Sequence, residues 1–304
     1  MRIVVVGPGA IGCLFGVRLA LAGNDVALLD RDAGRAGRLT ASGLRLVDEE
    51  GEHRVGVAVD TRAARLGPAE MVLVCVKAYD TDRAILAAMR LVRRKTTVVS
   101  LQNGLTNAVR IAAQTGGVRL VCAVTAQGAR LTAEGAVEDT GRGPTRCGPF
   151  VPGRMARPEQ VADMLAQAGM AAEAIDDAPG LIWSKLVVNA AVNPVTALHG
   201  VPNGGLLEKP DLLAAAGRAA EEAAQVARAK GVRLHFDDAR AEVASVCRRT
   251  AANASSMLQD IRRGRRTEID AINGAVVREA ETCNLNTPVN ADLVRRVKAL
   301  EAGR

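Results

Sequence analysis

Short continuous apolar runs alternate with longer helix-compatible segments through the first half of the chain. Ile3-Val4-Val5-Val6, Asp25 to Leu29, Met71 to Val76, Thr97 to Leu101 and Val118 to Val124 read as strands. Between them, Ala10 to Ala22, Thr81 to Val92 and Leu105 to Ala113 read as helices. Strands that are apolar without alternation are buried on both faces, and their regular exchange with helices predicts a parallel, doubly wound sheet. The glycine-rich segment from Gly135 to Gly148 predicts a hairpin on the far edge of that sheet. Pro158 to Ala168 follows as a helix and Ala172 to Ile175 as a last short strand.

The pattern changes at Asp176-Asp177-Ala178-Pro179-Gly180, where acidic residues, proline and glycine mark a boundary. Beyond it the chain is helix-compatible over Leu181 to Leu198, Asp211 to Ala229, Asp237 to Arg249, Thr267 to Glu281 and Ala291 to Leu300. The expected organisation is a sheet domain over residues 1–176 and an all-α domain over 177–304. The alanine-rich stretch 213–229 is explained by helix propensity.

A chain of 304 residues that is 48% hydrophobic can fill two cores of ordinary size, in keeping with that division. No run approaches the roughly 20 uninterrupted apolar residues that span a bilayer, so no membrane partner is expected and the cytoplasm is the expected location. Cys13, Cys75, Cys122, Cys147, Cys247 and Cys283 form no CxxC pair and lie near no histidine cluster. They read as reduced, mostly buried thiols, and no metal site is expected. The net charge of +7 and the run Arg262-Arg263-Gly264-Arg265-Arg266 would suit a nucleic acid. However, Phe15, Tyr79, Phe150, Trp183 and Phe236 are too few for base stacking, and the arginines interleave with acidic residues. The run reads as a solvated helix face, and a positive field suits an anionic cofactor and a carboxylate substrate equally well.

Gly7-Pro8-Gly9-Ala10-Ile11-Gly12 stands directly after the first apolar run and opens the first helix. Strand, tight glycine turn, helix and second strand together make the phosphate-binding turn of a Rossmann-type fold. Gly7 permits the turn, Gly9 lets backbone approach a pyrophosphate, and Gly12 lets the helix pack on the strand. Asp30-Arg31, at the end of the second strand, falls where the adenine ribose should lie.

The substrate is then expected in a cleft at the carboxyl ends of the strands. Lys77 and Asn103-Gly104 each follow a strand and can reach such a site; an exposed lysine and a helix-capping asparagine are equally compatible with their positions. In the segment 183–194, Lys185, Asn189 and Asn193 recur every fourth residue and share one face of an otherwise apolar helix. Buried amides need partners, so this stripe points to a ligand or to a hydrogen-bond ladder with a neighbouring helix. A third cluster, Asn253 to Asp260 with Glu268 beyond it, offers groups for a carboxylate and a carboxylate to orient a lysine, although capping explains Ser255 or Ser256 as well. His53, His199 and His235 lie in a turn, a helix end and a loop, which leaves Lys185 as the better acid for reducing a ketone.

Taken together, Gly-Pro-Gly-Ala-Ile-Gly, Val-Lys-Ala-Tyr at Lys77, Gln-Asn-Gly at Asn103, Lys-Leu-Val-Val-Asn-Ala-Ala-Val-Asn-Pro, Pro-Asn-Gly at Asn203, Ser-Ser-Met-Leu-Gln-Asp and Arg-Arg-Thr-Glu-Ile-Asp resemble the ketopantoate reductase family essentially end to end. The resemblance implies NADPH-dependent reduction of 2-dehydropantoate to (R)-pantoate in pantothenate biosynthesis. It implies Lys185 as general acid, with Asn189, Asn193, Asn203 and Ser256 on the substrate and Asn253 as a further candidate. Asn103 would meet both cofactor and substrate, Lys77 the cofactor, and Glu268 the cofactor or the catalytic lysine. Arg31 suits the 2′-phosphate of NADP, whereas Asp30 would favour the ribose hydroxyls of NAD, which keeps NAD open. Another branched 2-oxo acid as substrate and a non-catalytic dinucleotide-binding sensor are the alternatives, and a second copy of the chain is a candidate partner.

Overall fold

The computed structural model describes residues 1–117, 119–132, 135–152 and 155–303. The chain divides into two compact units, one made of Met1–Gln102 and Asn107–Ala178, the other of Asn103–Thr106 and Pro179–Arg304.

The first unit begins β1 (Arg2–Val6), α1 (Ala10–Leu21), β2 (Asp25–Leu29), α2 (Ala33–Ser42), β3 (Leu44–Asp48), β4 (Gly51–Val55), β5 (Ala58–Asp60), α3 (Ala63–Leu66) and β6 (Met71–Val74). It continues α4 (Thr81–Ala88), β7 (Thr97–Ser100), α5 (Asn107–Thr115), β8 (Leu120–Thr125), β9 (Gly128–Leu131), β10 (Val137–Gly141), β11 (Thr145–Pro149), α6 (Pro158–Gln167) and β12 (Ala172–Ala174). Among the described residues an eight-stranded sheet has the order β12-β11-β8-β7-β6-β1-β2-β5. From β8 to β5 every neighbouring pair is parallel. Ile3, Val4 and Val5 of β1 and all of β6 have no exposed surface, which is why these strands are apolar without alternation. Chain order reverses between β1 and β6, a topological switch point whose carboxyl side is where ligands bind in such sheets.

The segment 135–148 departs from the expected edge hairpin. β10 enters a second sheet, order β4-β3-β10-β9, beside β3, while β11 joins the main sheet antiparallel to β8. Burial decides the split: Val137 of β10 pairs directly with Leu46 of β3, and both are buried. The Thr145 hydroxyl, 2.8 Å from that of Thr125, ties β11 to β8 instead. The main sheet is therefore not parallel throughout. Of the strand expected at 118–124, Val118 lies outside the described residues and the strand itself starts at Leu120. The helix expected to reach Val92 stops at Ala88, because Met89, Leu91 and Val92 donate to carbonyls three residues back and tighten into turns.

The second unit is helical: α7 (Ala178–His199), α8 (Pro210–Ala229), α9 (Ala239–Arg249), α10 (Ser256–Arg262), α11 (Asn273–Glu281) and α12 (Pro288–Ala302). Its core joins Trp183, Leu186 and Val187 of α7 to Val243, Met257, Ile272, Val276 and Leu293. Ala216, Ala219, Ala220, Ala223, Ala224 and Ala227 form a fully buried stripe on α8, where small side chains let neighbouring helices approach closely. By length and composition α7 would also suit a membrane span, but 67% of its most apolar window is buried in the protein.

Two expectations for this unit change. The segment 267–272 is a turn and not helix, because Ala271 and Ile272 both donate to the Glu268 carbonyl and α11 starts only at Asn273. The arginine run 262–266 is exposed, yet it is not a helix face: α10 ends at Arg262 and the chain turns through Gly264 at φ +60°.

Candidate active site

The glycine turn after β1 has the geometry its residues dictate. Gly7 has φ +90°, a left-handed value, and a Cβ there would collide with Val76 Cγ1. At Gly12 a Cβ would strike the Gly7 carbonyl, so the first turn of α1 sits directly over the loop. Nothing lies within 4 Å of the place a Gly9 Cβ would occupy. Gly9 is the N-cap of α1 and has no side chain to satisfy the helix's first N–H groups, and the first turn carries no acidic residue. Open space over uncapped N–H groups is what a pyrophosphate requires, so Gly7, Pro8, Gly9, Ala10, Ile11 and Gly12 fit a dinucleotide. The Cys13 thiol lies 3.4 Å from the Pro8 carbonyl and steadies the turn from beneath; burial pushes its pKa up to about 12, which keeps it a thiol.

At the end of β2, Asp30 and Arg31 part company. Asp30 is buried, and its carboxylate accepts from Arg35 Nε at 2.5 Å, from Arg35 Nη2 at 2.6 Å and from the Asp32 N–H at 3.0 Å. The Arg31 guanidinium is exposed and rests on Asp80, 2.7 and 2.8 Å from its two oxygens. Lys77 is half-buried, in the loop between β6 and α4. Gln102 fastens that loop by donating to the Val76 carbonyl at 3.0 Å and the Thr81 hydroxyl at 2.7 Å, and Arg110 donates to the Ala78 carbonyl.

In the second unit, Lys185, Asn189 and Asn193 lie on α7, with Lys185 and Asn189 half-buried and Asn193 buried. Desolvation pushes the Lys185 pKa down to about 8, and the Glu268 carboxylate partly opposes the shift. The Asn189 and Asn193 amides make no hydrogen bond within the structure among the described residues, so no ladder to a neighbouring helix accounts for them.

The other candidates come to α7 through loops. The Thr196 hydroxyl, one turn beyond Asn193, is 2.7 Å from that of Ser255, and Ser255 caps α10 by accepting the Leu258 N–H. With Ser255 as the cap, Ser256 is the half-buried first residue of α10 and is spared that duty. Asn203 donates its backbone N–H to the Asn253 carbonyl at 2.9 Å and its amide to the Thr250 hydroxyl, which leaves its Oδ1 buried without a partner among the described residues. Asn203, Asn253 and Ser256 are thereby gathered near one end of α7.

Asn103 belongs to this unit as well. Gly104, at φ +95°, presses so closely on Ala271 that a Cβ would stand 2.8 Å from its carbonyl oxygen. That contact holds Asn103-Gly104 against the turn opened by the buried Glu268. The structure thus brings Asn103 to the Glu268 turn, and couples Glu268 electrostatically to Lys185.

Sequence reasoning missed two residues. Asn273 donates to the Ala190 carbonyl at 2.8 Å, and Arg35 clamps Asp30. The first had a signal: Pro194 inside α7 has no N–H for the carbonyl four residues before it, so a donor from elsewhere is required. The second had none beyond an arginine five residues after an aspartate. Among the described residues no group of three or more His, Cys, Asp or Glu side chains could hold a metal ion.

The family models described as ketopantoate reductase PanE/ApbA and ketopantoate reductase PanE/ApbA C terminal match residues 3–152 and 177–301. A 2-dehydropantoate 2-reductase of Archaeoglobus fulgidus is 38% identical over 99% of this chain and 98% of its own length. A ketopantoate reductase of Ralstonia eutropha aligns at TM-score 0.90 and 31% identity, covering 100% of this chain and 99% of that one. D-mandelate dehydrogenase with NADH and anilino(oxo)acetate aligns at TM-score 0.93 and 26% identity, again over 100% and 99% of the two chains.

Proposed function

The chain belongs to the ketopantoate reductase family, and we propose that it reduces 2-dehydropantoate to (R)-pantoate with NADPH. Residues 1–176 serve as the dinucleotide-binding domain and 177–304 as the substrate domain. The observation that carries the reading is Lys185, a half-buried lysine brought down to about 8 on a helix face shared with two asparagines whose side-chain amides make no hydrogen bond among the described residues.

A nicotinamide held by the first unit would supply a hydride to the 2-oxo carbon. Lys185, charged at neutral pH, donates its proton to the carbonyl oxygen as negative charge develops there, completes the hydroxyl, and recovers a proton from solvent. Glu268 favours the charged lysine and so keeps the acid loaded. Asn189, Asn193, Asn203, Asn253 and Ser256 orient the substrate. Asn103 serves both ligands and Lys77 the cofactor. Their amides and hydroxyls suit a small oxo acid better than a large apolar one.

A reductase of another 2-oxo acid is the second reading, favoured by the close structural likeness to a D-mandelate dehydrogenase. The cytoplasm as location, a homodimer as assembly, and neither nucleic acid nor membrane as partner complete the proposal. The test is the fall in NADPH absorbance over a panel of 2-oxo acids, each assayed with NADPH and NADH. Highest kcat/KM on 2-dehydropantoate supports the first reading, a higher value on another 2-oxo acid the second, and no turnover on any acid refutes both.

A further inference from the structure

In dinucleotide-binding folds an acidic side chain at the end of the second strand takes the ribose hydroxyls and repels a 2′-phosphate. Asp30 occupies that position, yet its side chain has no exposed surface. Three donors engage both oxygens of its carboxylate: the Arg35 fork through Nε and Nη2, and the Asp32 N–H. Side-on pairing with a guanidinium neutralises the charge and fixes the carboxylate toward α2. Beside it, Arg31 is 61% exposed and Arg83 65% exposed, and both are held on Asp80. The end of β2 therefore offers a guanidinium where an acidic chain would offer a carboxylate.

We propose that Arg35 determines which dinucleotide this protein accepts. It acts as a positioning residue: by holding Asp30 inward in an ion pair, it removes the repulsion that would bar a 2′-phosphate from Arg31. The inference rests on the reading of this unit as a nicotinamide dinucleotide site. An arginine that served only to anchor α2 would predict loss of both cofactors together, whereas the positioning role predicts a change in their ratio.

Calorimetric titration of NADP+ and NAD+ into the full chain separates the two, and it needs no 2-oxo acid turnover. Arg35→Gln takes the guanidinium from the Asp30 carboxylate and frees that side chain to turn toward the cofactor, so NADP+ affinity should fall by about tenfold or more while NAD+ affinity holds or rises. Asp30→Asn added to Arg35→Gln removes the stranded charge and should restore NADP+ binding. Arg35→Lys, which keeps the charge and loses the fork, reports on the same step should Arg35→Gln not fold; it should lie between wild type and Arg35→Gln in cofactor ratio. Equal weakening of both cofactors, no recovery in the double variant, or a wild type that prefers NAD+ overturns the proposal. A wild type that binds neither cofactor overturns it together with the dinucleotide reading. Binding with the expected ratio but no ketone reduction refutes only the assigned reaction.

Discussion

The Asn273 side-chain amide donates to the Ala190 carbonyl at 2.8 Å, the acceptor that Pro194 deprives of its intrahelical donor. The same nitrogen reaches Asn290 Oδ1 at 2.9 Å, and Asn290 in turn donates to Glu222 and the Ala219 carbonyl. A chain of buried amides therefore runs from the helix that bears Lys185 to α8 and α12. The break in α7 lies beside Asn193, so this network supports the helix where a candidate substrate contact projects.

Asn273→Ala should destabilise the fold by about 2 kcal/mol, since it leaves buried acceptors unsatisfied. In a Pro194→Ala background, where residue 194 regains an N–H for Ala190, the same change should cost less. Urea unfolding of the four proteins in this cycle measures the coupling, and strict additivity would contradict the repair role.

Lys185 is held near a pKa of about 8 in the fold, below its ordinary 10.5. It must be protonated to act as an acid, so kcat/KM for ketone reduction should be flat near neutrality and fall as pH rises through about 8. Glu268→Gln removes the charge that holds the value up and should move this limb to lower pH. Lys185→Ala should lower kcat by about 100-fold or more with NADPH affinity little changed.

The stability effect of Lys185 has the opposite sign from that of a paired lysine. A folded-state pKa below the unfolded value makes the charged form costly, so the penalty is full below about 8 and disappears as pH rises toward 10.5. Lys185→Met should therefore raise the unfolding free energy at neutral pH by up to about 3 kcal/mol. Chemical denaturation at neutral and alkaline pH checks it: the gain should shrink at the higher pH.

Gly104→Ala places a Cβ 2.8 Å from the Ala271 oxygen at φ +95°. The expected cost is about 1–2 kcal/mol of stability, with a rise in substrate KM as Asn103 moves from the Glu268 turn. Thermal unfolding and steady-state kinetics read the two parts separately; an unchanged KM would detach Asn103 from the substrate.

Gly12→Ala sets a Cβ against the Gly7 carbonyl and must lift α1 off the turn. Dinucleotide affinity should fall by about tenfold or more in a titration that leaves far-ultraviolet circular dichroism unchanged.

The features legible in the chain alone are those a few neighbouring residues encode. The apolar runs of β1, β6 and β7 declare strands buried on both faces, the spacing of Gly7, Gly9 and Gly12 declares a tight turn into a helix, and four-residue spacing puts Lys185, Asn189 and Asn193 on one helix face. Such signals are local, because backbone sterics and periodicity act over a turn or two. The tertiary structure alone decided the pairings between segments. It sent β10 to one sheet and β11 to another, laid Gly104 on Ala271, made Ser255 the cap in place of Ser256, and turned Asp30 toward Arg35. Each of these depends on which partner remains available once apolar surface has been buried and buried polar groups compete for hydrogen bonds. That competition is settled across the whole fold, so no local pattern records its outcome.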